Sequence, residues 1–190
     1  MIRSTLGLLD SSFRKATGQR ALPRILTWAL TFRCNARCSM CDSWKKDSPE
    51  MDTESALRLI ARLPLSLSMV RLTGGEPFLR EDLGTLVEAL RGHLHPEMLH
   101  LTTNGFLTRR IIQFMETRNA RQPLHLLLSL DGQESLHNRL RGQPWAYERC
   151  LQTLNVLVEN RKKWNFHLAV NQTIVDEEGI DDYPKLHALL

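Results

Sequence analysis

Ile25-Leu26-Thr27-Trp28-Ala29-Leu30-Thr31-Phe32 runs through Arg33 into Cys34-Asn35-Ala36-Arg37-Cys38-Ser39-Met40-Cys41, and the reading of this stretch decides the fold. The segment up to Phe32 is β-branched and aromatic enough to form a strand. The cysteines are spaced CxxxCxxC, on the loop at the strand's C-terminal end. A free thiolate is reactive, and three at this spacing are best explained as ligands to one metal centre. Structural zinc normally takes four protein ligands, with its cysteines in two CxxC-type pairs set well apart. Here there is one group of three and no second group. An iron–sulfur cubane normally takes four cysteines, so one held by three keeps an iron open for a small ligand, as catalytic zinc sites keep an open position. The spacing therefore predicts a reactive cluster.

Outward from this loop the chain alternates. Pro49, then Asp52 or Thr53 as a cap, starts an amphipathic helix through Leu57, Leu59, Ile60 and Leu63. A second strand is read over 67–73, ended by Gly74-Gly75-Glu76-Pro77 and followed by a helix over 81–94. A third strand over 98–102 runs into Thr103-Asn104-Gly105, where Asn-Gly marks a tight turn, and a helix follows through Ile111, Ile112, Phe114 and Met115. Residues 124–130 are a continuous apolar run suited to a sheet buried on both faces. Asp131-Gly132 turns it into a polar stretch, and a helix over 147–163 carries Cys150, Leu151, Leu154, Leu157 and Val158 on its apolar side. A fifth strand over 166–175 and a fifth helix from 181 onward follow. Strict alternation implies an α/β fold, a parallel sheet with right-handed crossovers and a barrel-like curvature. In such barrels the chemistry gathers at the C-terminal ends of the strands. The cysteines, Gly-Gly-Glu-Pro, Thr-Thr-Asn-Gly, Ser129-Leu130-Asp131-Gly132 and Asn171 to Thr173 all fall on that rim.

The 190 residues fit a single domain, and 42% hydrophobic with 24% charged content is ordinary for a soluble globular protein. No segment approaches the ~20 apolar residues that cross a membrane. The patch Leu6-Gly7-Leu8-Leu9 is cut by Asp10, so no secretory signal is expected. Four cysteines, three of them clustered, do not form a disulfide framework, and a reducing cytoplasm is the expected compartment. Residues 1–24 form a basic extension, with Arg3, Arg14, Lys15, Arg20 and Arg24 against Asp10 alone, which accounts for the whole net charge of +4. The core over 25–190 is therefore neutral, and no nucleic-acid partner is expected for it.

CxxxCxxC followed one βα unit later by Gly74-Gly75-Glu76-Pro77 resembles the radical S-adenosylmethionine (SAM) enzymes. In that family the triplet holds a [4Fe–4S] cluster, here on Cys34, Cys38 and Cys41, whose fourth iron is chelated by SAM. The resemblance implies reductive cleavage of SAM to a 5′-deoxyadenosyl radical, with a low-potential electron donor such as a flavodoxin or ferredoxin. It implies that main-chain groups of Gly74, Gly75 and Glu76 meet the SAM amino group. The segment from Ser129 through Asp131-Gly132 to Arg141-Gly142 is similar to radical SAM enzymes that modify peptides and proteins. There the strand-four serine, Ser129, contacts the ribose and the arginine of the Arg-Gly pair, Arg141, the carboxylate; Arg139 is a substitute. Met40 stands where the family often carries an aromatic residue near the adenine. Thr103 and Asn171 are further cofactor candidates on the rim. The family's partial TIM-like barrel has six βα units; five are read here, so the chain is expected to be a fragment of a longer protein or to depend on another chain.

The implied substrate is a peptide or protein side chain. A rival within the enzymes comes from Val70-Arg71-Leu72-Thr73-Gly74-Gly75-Glu76-Pro77, which also resembles the molybdenum-cofactor GTP cyclase, where an arginine at this place contacts the nucleotide; Arg71 becomes a substrate candidate. Both relatives carry additional cysteines towards their C-termini, absent from this sequence, so neither activity transfers whole. The rival outside the enzymes is a zinc-stabilised binding module using the three cysteines and a histidine. Cys150 is read as a small core hydrophobe. His137, His167 and His187 have no ligand-like spacing and receive no role.

Overall fold

Five parallel strands in the order β1-β2-β3-β4-β5 form the sheet of the computed structural model, which describes residues 13–190. The strands are β1 Ile25–Thr31, β2 Met69–Gly74, β3 Met98–Thr103, β4 Leu124–Ser129 and β5 Phe166–Asn171. Between and after them run helices α1 Thr53–Ile60, α2 Leu83–Leu94, α3 Thr108–Thr117, α4 Glu134–Arg141, α5 Ala146–Trp164 and α6 Glu177–Leu189. Single 3₁₀ turns occupy Ser43–Lys45 and Pro77–Leu79. The expected partial TIM-like arrangement of five βα units is what the sheet order describes. β1 and β5 each have a strand neighbour on one side only among the described residues.

Local chemistry explains the boundaries. The Asp52 carboxylate caps α1 by accepting from the Ser55 amide at 2.8 Å. α2 stops at His95 and α5 at Asn165, both in the left-handed region at φ 45°. The sheet then divides by face, because side chains alternate along a strand. Val70, Leu72, Leu99, Leu101, Leu124 and Leu126 point to the helix side, each at most 2% exposed. Burying each stabilises the fold by roughly 1.5–3 kcal/mol. The opposite face is open: Thr27, Ala29, Arg71, His167 and Ala169 are all exposed. On the helix side, buried Arg80 ties two layers together, its Nη1 donating to the Leu30 carbonyl at 2.9 Å while its fork grips Asp82.

Four readings change. The polar stretch after Gly132 contains α4, whose strongly polar sequence conceals the buried Leu136, His137, Leu140 and Arg141. β5 ends at Asn171 rather than 175, because α6 starts early: Asp176 caps it by accepting from the Gly179 amide. β4 is not buried on both faces, since Leu127 on the open side is only half-buried. Val158, expected on the apolar side of α5, is 57% exposed, and Thr153 and Trp164 are buried instead. Residues 1–12 of the basic extension lie outside the described residues, and Phe13 is exposed. No helix of the described residues is long and apolar enough to cross a membrane.

Candidate functional site

The loop after β1 is stitched into the rim by main-chain bonds from two directions. From β2, the Gly75 amide donates to Thr31 O at 2.7 Å and the Glu76 amide to Arg33 O at 2.9 Å. A Cβ on Gly75 would lie 2.1 Å from Arg33 O, and one on Gly74, at φ 128°, 2.3 Å from Thr31 O. The paired glycines are thus required by the approach of the chain's own backbone. From α4, the Arg37 amide donates to Arg141 O and the Ser39 amide to Leu140 O, both at 2.9 Å. The last carbonyls of a helix are without intrahelical partners, so the cysteine loop satisfies them. Gly142 lets the loop come this close: its φ is 64°, and a Cβ there would lie 2.4 Å from Arg37 O.

Glu76 is the buried hub of the rim. One carboxylate oxygen accepts from the Phe78 amide at 3.2 Å and the Thr103 hydroxyl at 2.9 Å; the other accepts from the Asn104 amide at 2.8 Å. Complete burial raises its pKa to about 7 despite these three donors. Thr103 also accepts from the Gly105 amide, so its hydroxyl is engaged on both sides. Asn104 carries the connection onward, its Nδ2 donating to Asn35 Oδ1 at 2.7 Å and lying 3.9 Å from Cys34 Sγ. β2, β3 and the cysteine loop therefore share one hydrogen-bond chain.

A second buried hub joins β4 to α4. Asp131 Oδ1 accepts from Arg141 Nη2 at 2.9 Å, Arg141 Nε lies 2.6 Å from Oδ2, and the Thr173 amide also donates to Oδ1. The Asp131 amide donates to His137 Nδ1 at 3.0 Å, which fixes that imidazole as an acceptor; burial pushes its pKa down to about 3. Asp131 thus holds Arg141 by one hydrogen bond at Nη2 and an ion-pair contact at Nε, and Nη1 lies 3.7 Å from Cys38 Sγ. Arg139 is on the outer surface, paired with Asp176 and Glu178 at the start of α6.

Each cysteine sulfur of the triplet has at least one N–H donor: the Ala36 amide and Asn104 Nδ2 for Cys34, Arg141 Nη1 for Cys38, the Ser43 amide for Cys41. That donor set suits thiolates. Among the described residues no three His, Cys, Asp or Glu side chains converge on a single ion. Cysteines holding a cubane need not converge in that way, because each ligates a different iron. In the metal-free chain burial pushes the Cys34 and Cys38 thiols up, so loading must displace protons. Met40, like Cys34 and Cys41, is partly buried against the cluster that contains Ala36, Cys38 and Phe106. Ser129 is buried at the end of β4 and lies in register with exposed Asn171. Arg71 stands three residues below the end of β2, exposed on the open face. Cys150 lies on the helix side, fully buried, donating to Ser129 O at 3.4 Å with its pKa pushed up to about 12.

Sequence reasoning missed Asn104, Asp131 and the docking role of Gly142. From sequence alone Asn104 reads as turn chemistry and Asp131-Gly132 as a strand end; the available signal is an acid and an arginine ten positions apart in a short polar stretch.

The family model described as the radical SAM superfamily matches residues 28–185. The AdoMet-dependent heme synthase of Methanosarcina barkeri is 30% identical over 173 residues, covering 88% of this chain and 47% of that protein. The GTP 3′,8-cyclase of a Synechocystis species is 31% identical over 159 residues, covering 81% and 46%. The chain spans about half the length of these curated relatives. The solved structure of native anSMEcpe with bound AdoMet and a peptide superposes with a TM-score of 0.66 at 20% identity, over 88% of this chain and 49% of that one.

Proposed function

Because the chain belongs to the radical SAM superfamily, whose members use a [4Fe–4S] cluster and SAM, we propose that Cys34, Cys38 and Cys41 hold such a cluster and that the rim beside them seats SAM. The observation that carries this is the donor set at the three sulfurs, together with the glycine turn bonded directly to their loop. When bound, the cluster supplies the electron that cleaves SAM to methionine and a 5′-deoxyadenosyl radical, which abstracts hydrogen from substrate.

The chain's own groups bind and orient. The amides of Gly75 and Glu76 are engaged by β1's exit, which leaves carbonyls of the turn to accept from the SAM ammonium. Ser129 and Asn171, side by side on the rim, are the sugar contacts, and Met40 fills apolar space beside the adenine. Thr103 and Glu76 hold the rim together through buried hydrogen bonds. Arg141, with its fork held by Asp131, presents Nη1 to the Cys38 sulfur and reaches the SAM carboxylate from there.

The substrate lies against the open face of the sheet. A peptide or protein side chain is favoured by the strand-four segment; a nucleotide is the second reading, favoured by Arg71 on that face. A low-potential electron donor in the cytoplasm completes the system. The test is anaerobic: reconstituted, dithionite-reduced protein should form 5′-deoxyadenosine from SAM without substrate, slowly. Stoichiometric zinc and no iron in anaerobically purified protein would overturn the reading in favour of a binding module.

A further inference from the structure

Three histidines and an arginine fall in one line across the open face. Arg71 pairs in register with His100, His100 with His125, and His125 with His167. The imidazoles stack: ring centroids are 5.0 Å apart from His100 to His125 and 4.5 Å from His125 to His167, with planes within 13° and 24° of parallel. Arg71 is exposed and has no hydrogen bond or ion pair to any described residue. The Nε2 of His100 is buried without a hydrogen-bond partner. None of the alternate positions of the five strands that line this face carries Asp or Glu.

Such a row has a cost in the fold, since a buried polar atom without a partner, here the Nε2 of His100, is destabilising unless a ligand satisfies it. Stacked, near-parallel rings also do not converge on a metal ion, and no such group exists among the described residues. What the row offers is a planar guanidinium fork and a series of ring N–H donors, with no acid to compete. At about 4.8 Å per strand it extends roughly 14 Å, longer than a single phosphate.

We propose that Arg71, His100, His125 and His167 form the binding site for a multiply charged anionic part of the substrate, carrying phosphates or carboxylates. The row stands about 13 Å below the rim, four residues down β4 from Ser129 to His125, so the charged part lies at the floor and the reacting carbon nearer the rim. This rests on the reading of the open face as the substrate side of a radical SAM enzyme. Among the described residues, the titratable groups on the strand positions of this face are these four alone. Burial, and the neighbouring Arg71 or imidazoles, hold His100 and His125 below the usual imidazole range, so an arriving anion should bring protons with it.

The test is calorimetry on the full-length, cluster-loaded protein near pH 7, with inorganic tripolyphosphate and citrate as probes, each in two buffers of different ionisation enthalpy. The expected result is one-to-one binding of one probe, which identifies the phosphate or carboxylate source, with a buffer-dependent heat that reports proton uptake. Arg71→Gln should weaken it at least about tenfold, as loss of a charged hydrogen bond does. His167→Gln, at the exposed end, should weaken it without affecting folding, and the triple His100→Gln, His125→Gln, His167→Gln variant should abolish the proton uptake. Binding of neither probe at millimolar concentration, or binding that neither Arg71→Gln nor His167→Gln changes, overturns the proposal. SAM cleavage by the same wild-type sample is scored separately: cleavage without anion binding sinks the row alone, and anion binding without cleavage sinks the enzymatic reading alone.

Discussion

The same five strands present two unlike faces. Towards the helices they carry Val70, Leu72, Leu99, Leu101, Leu124, Leu126 and Leu128, a closed apolar layer. Towards the open side they carry Thr27, Arg71, His100, His125 and His167, polar and partly or fully exposed. Neighbouring residues on one strand therefore do different work, one holding the fold and the next available to a ligand. The rim joins the two faces: its buried hubs, Glu76 and Asp131, convert strand ends fixed by the apolar side into a cysteine loop held in place.

The sharpest test of that division uses the four cysteines. Replacing Cys34, Cys38 or Cys41 by Ala should abolish the cluster, read as iron and sulfide content and visible absorption after anaerobic reconstitution. Cys150→Ala should retain it, because that sulfur sits in the helix-side layer and, among the described residues, bonds only the Ser129 carbonyl. A Cys150→Ala protein unable to hold iron would place the cluster on the wrong side of the sheet.

Next in size comes the apolar layer. Leu126 is fully buried at the centre of β4, and Leu126→Ala should cost about 2–5 kcal/mol in urea unfolding, through lost burial and the cavity left. A smaller value would mean that the helix layer is loosely packed.

The rim hubs rank third. Glu76→Gln keeps the shape but faces the Asn104 amide or another donor with an NH₂ group, so about 1–3 kcal/mol should be lost. The wild-type pH dependence has a definite sign. With the folded pKa raised from 4.5 to about 7, the native state holds the proton more tightly than the unfolded chain. Its contribution is fully present below pH 4.5 and is lost as pH rises through about 7. The shift corresponds to about 3 kcal/mol, at about 1.36 per unit. Apo-protein stability measured from pH 5 to 8 should fall accordingly, and the slope should flatten in Glu76→Gln. An unchanged slope in the variant would assign the titration to another group.

Much of this was legible in the sequence because it is local. CxxxCxxC, Gly-Gly-Glu-Pro and the strand–helix alternation are short patterns whose meaning survives without tertiary contacts. The Arg-Gly pair was legible as a motif but not as a device: that Gly142 admits the Arg37 carbonyl depends on α4 ending beside a loop a hundred residues earlier. The imidazole row was hidden for a related reason. His100 is the third residue of its strand and His125 and His167 the second of theirs, an offset that becomes a line only once the register of the sheet is known. β4 misled because Leu126, Leu127 and Leu128 look alike, and no side-chain chemistry marks Leu127 as the one that faces away from the helices.

That identity of residue type makes Leu127 the finest probe of the two faces. Leu127 lies one position from Leu126, on the same strand, with the same side chain, paired in register with Thr102 and Ala169. It is half-buried on the open side, so truncation removes part of one contact surface and leaves no closed cavity, because solvent fills the space. Leu127→Ala should therefore cost below about 1 kcal/mol, a fraction of the burial term alone. The measurement is urea unfolding of this 190-residue chain beside Leu126→Ala, read from the midpoint at constant slope. Equal losses at the two positions would end the two-face description for the isolated chain. A small loss here but a large one in a longer form of the protein would show that further polypeptide covers the open face, enclosing the substrate side in a packed barrel.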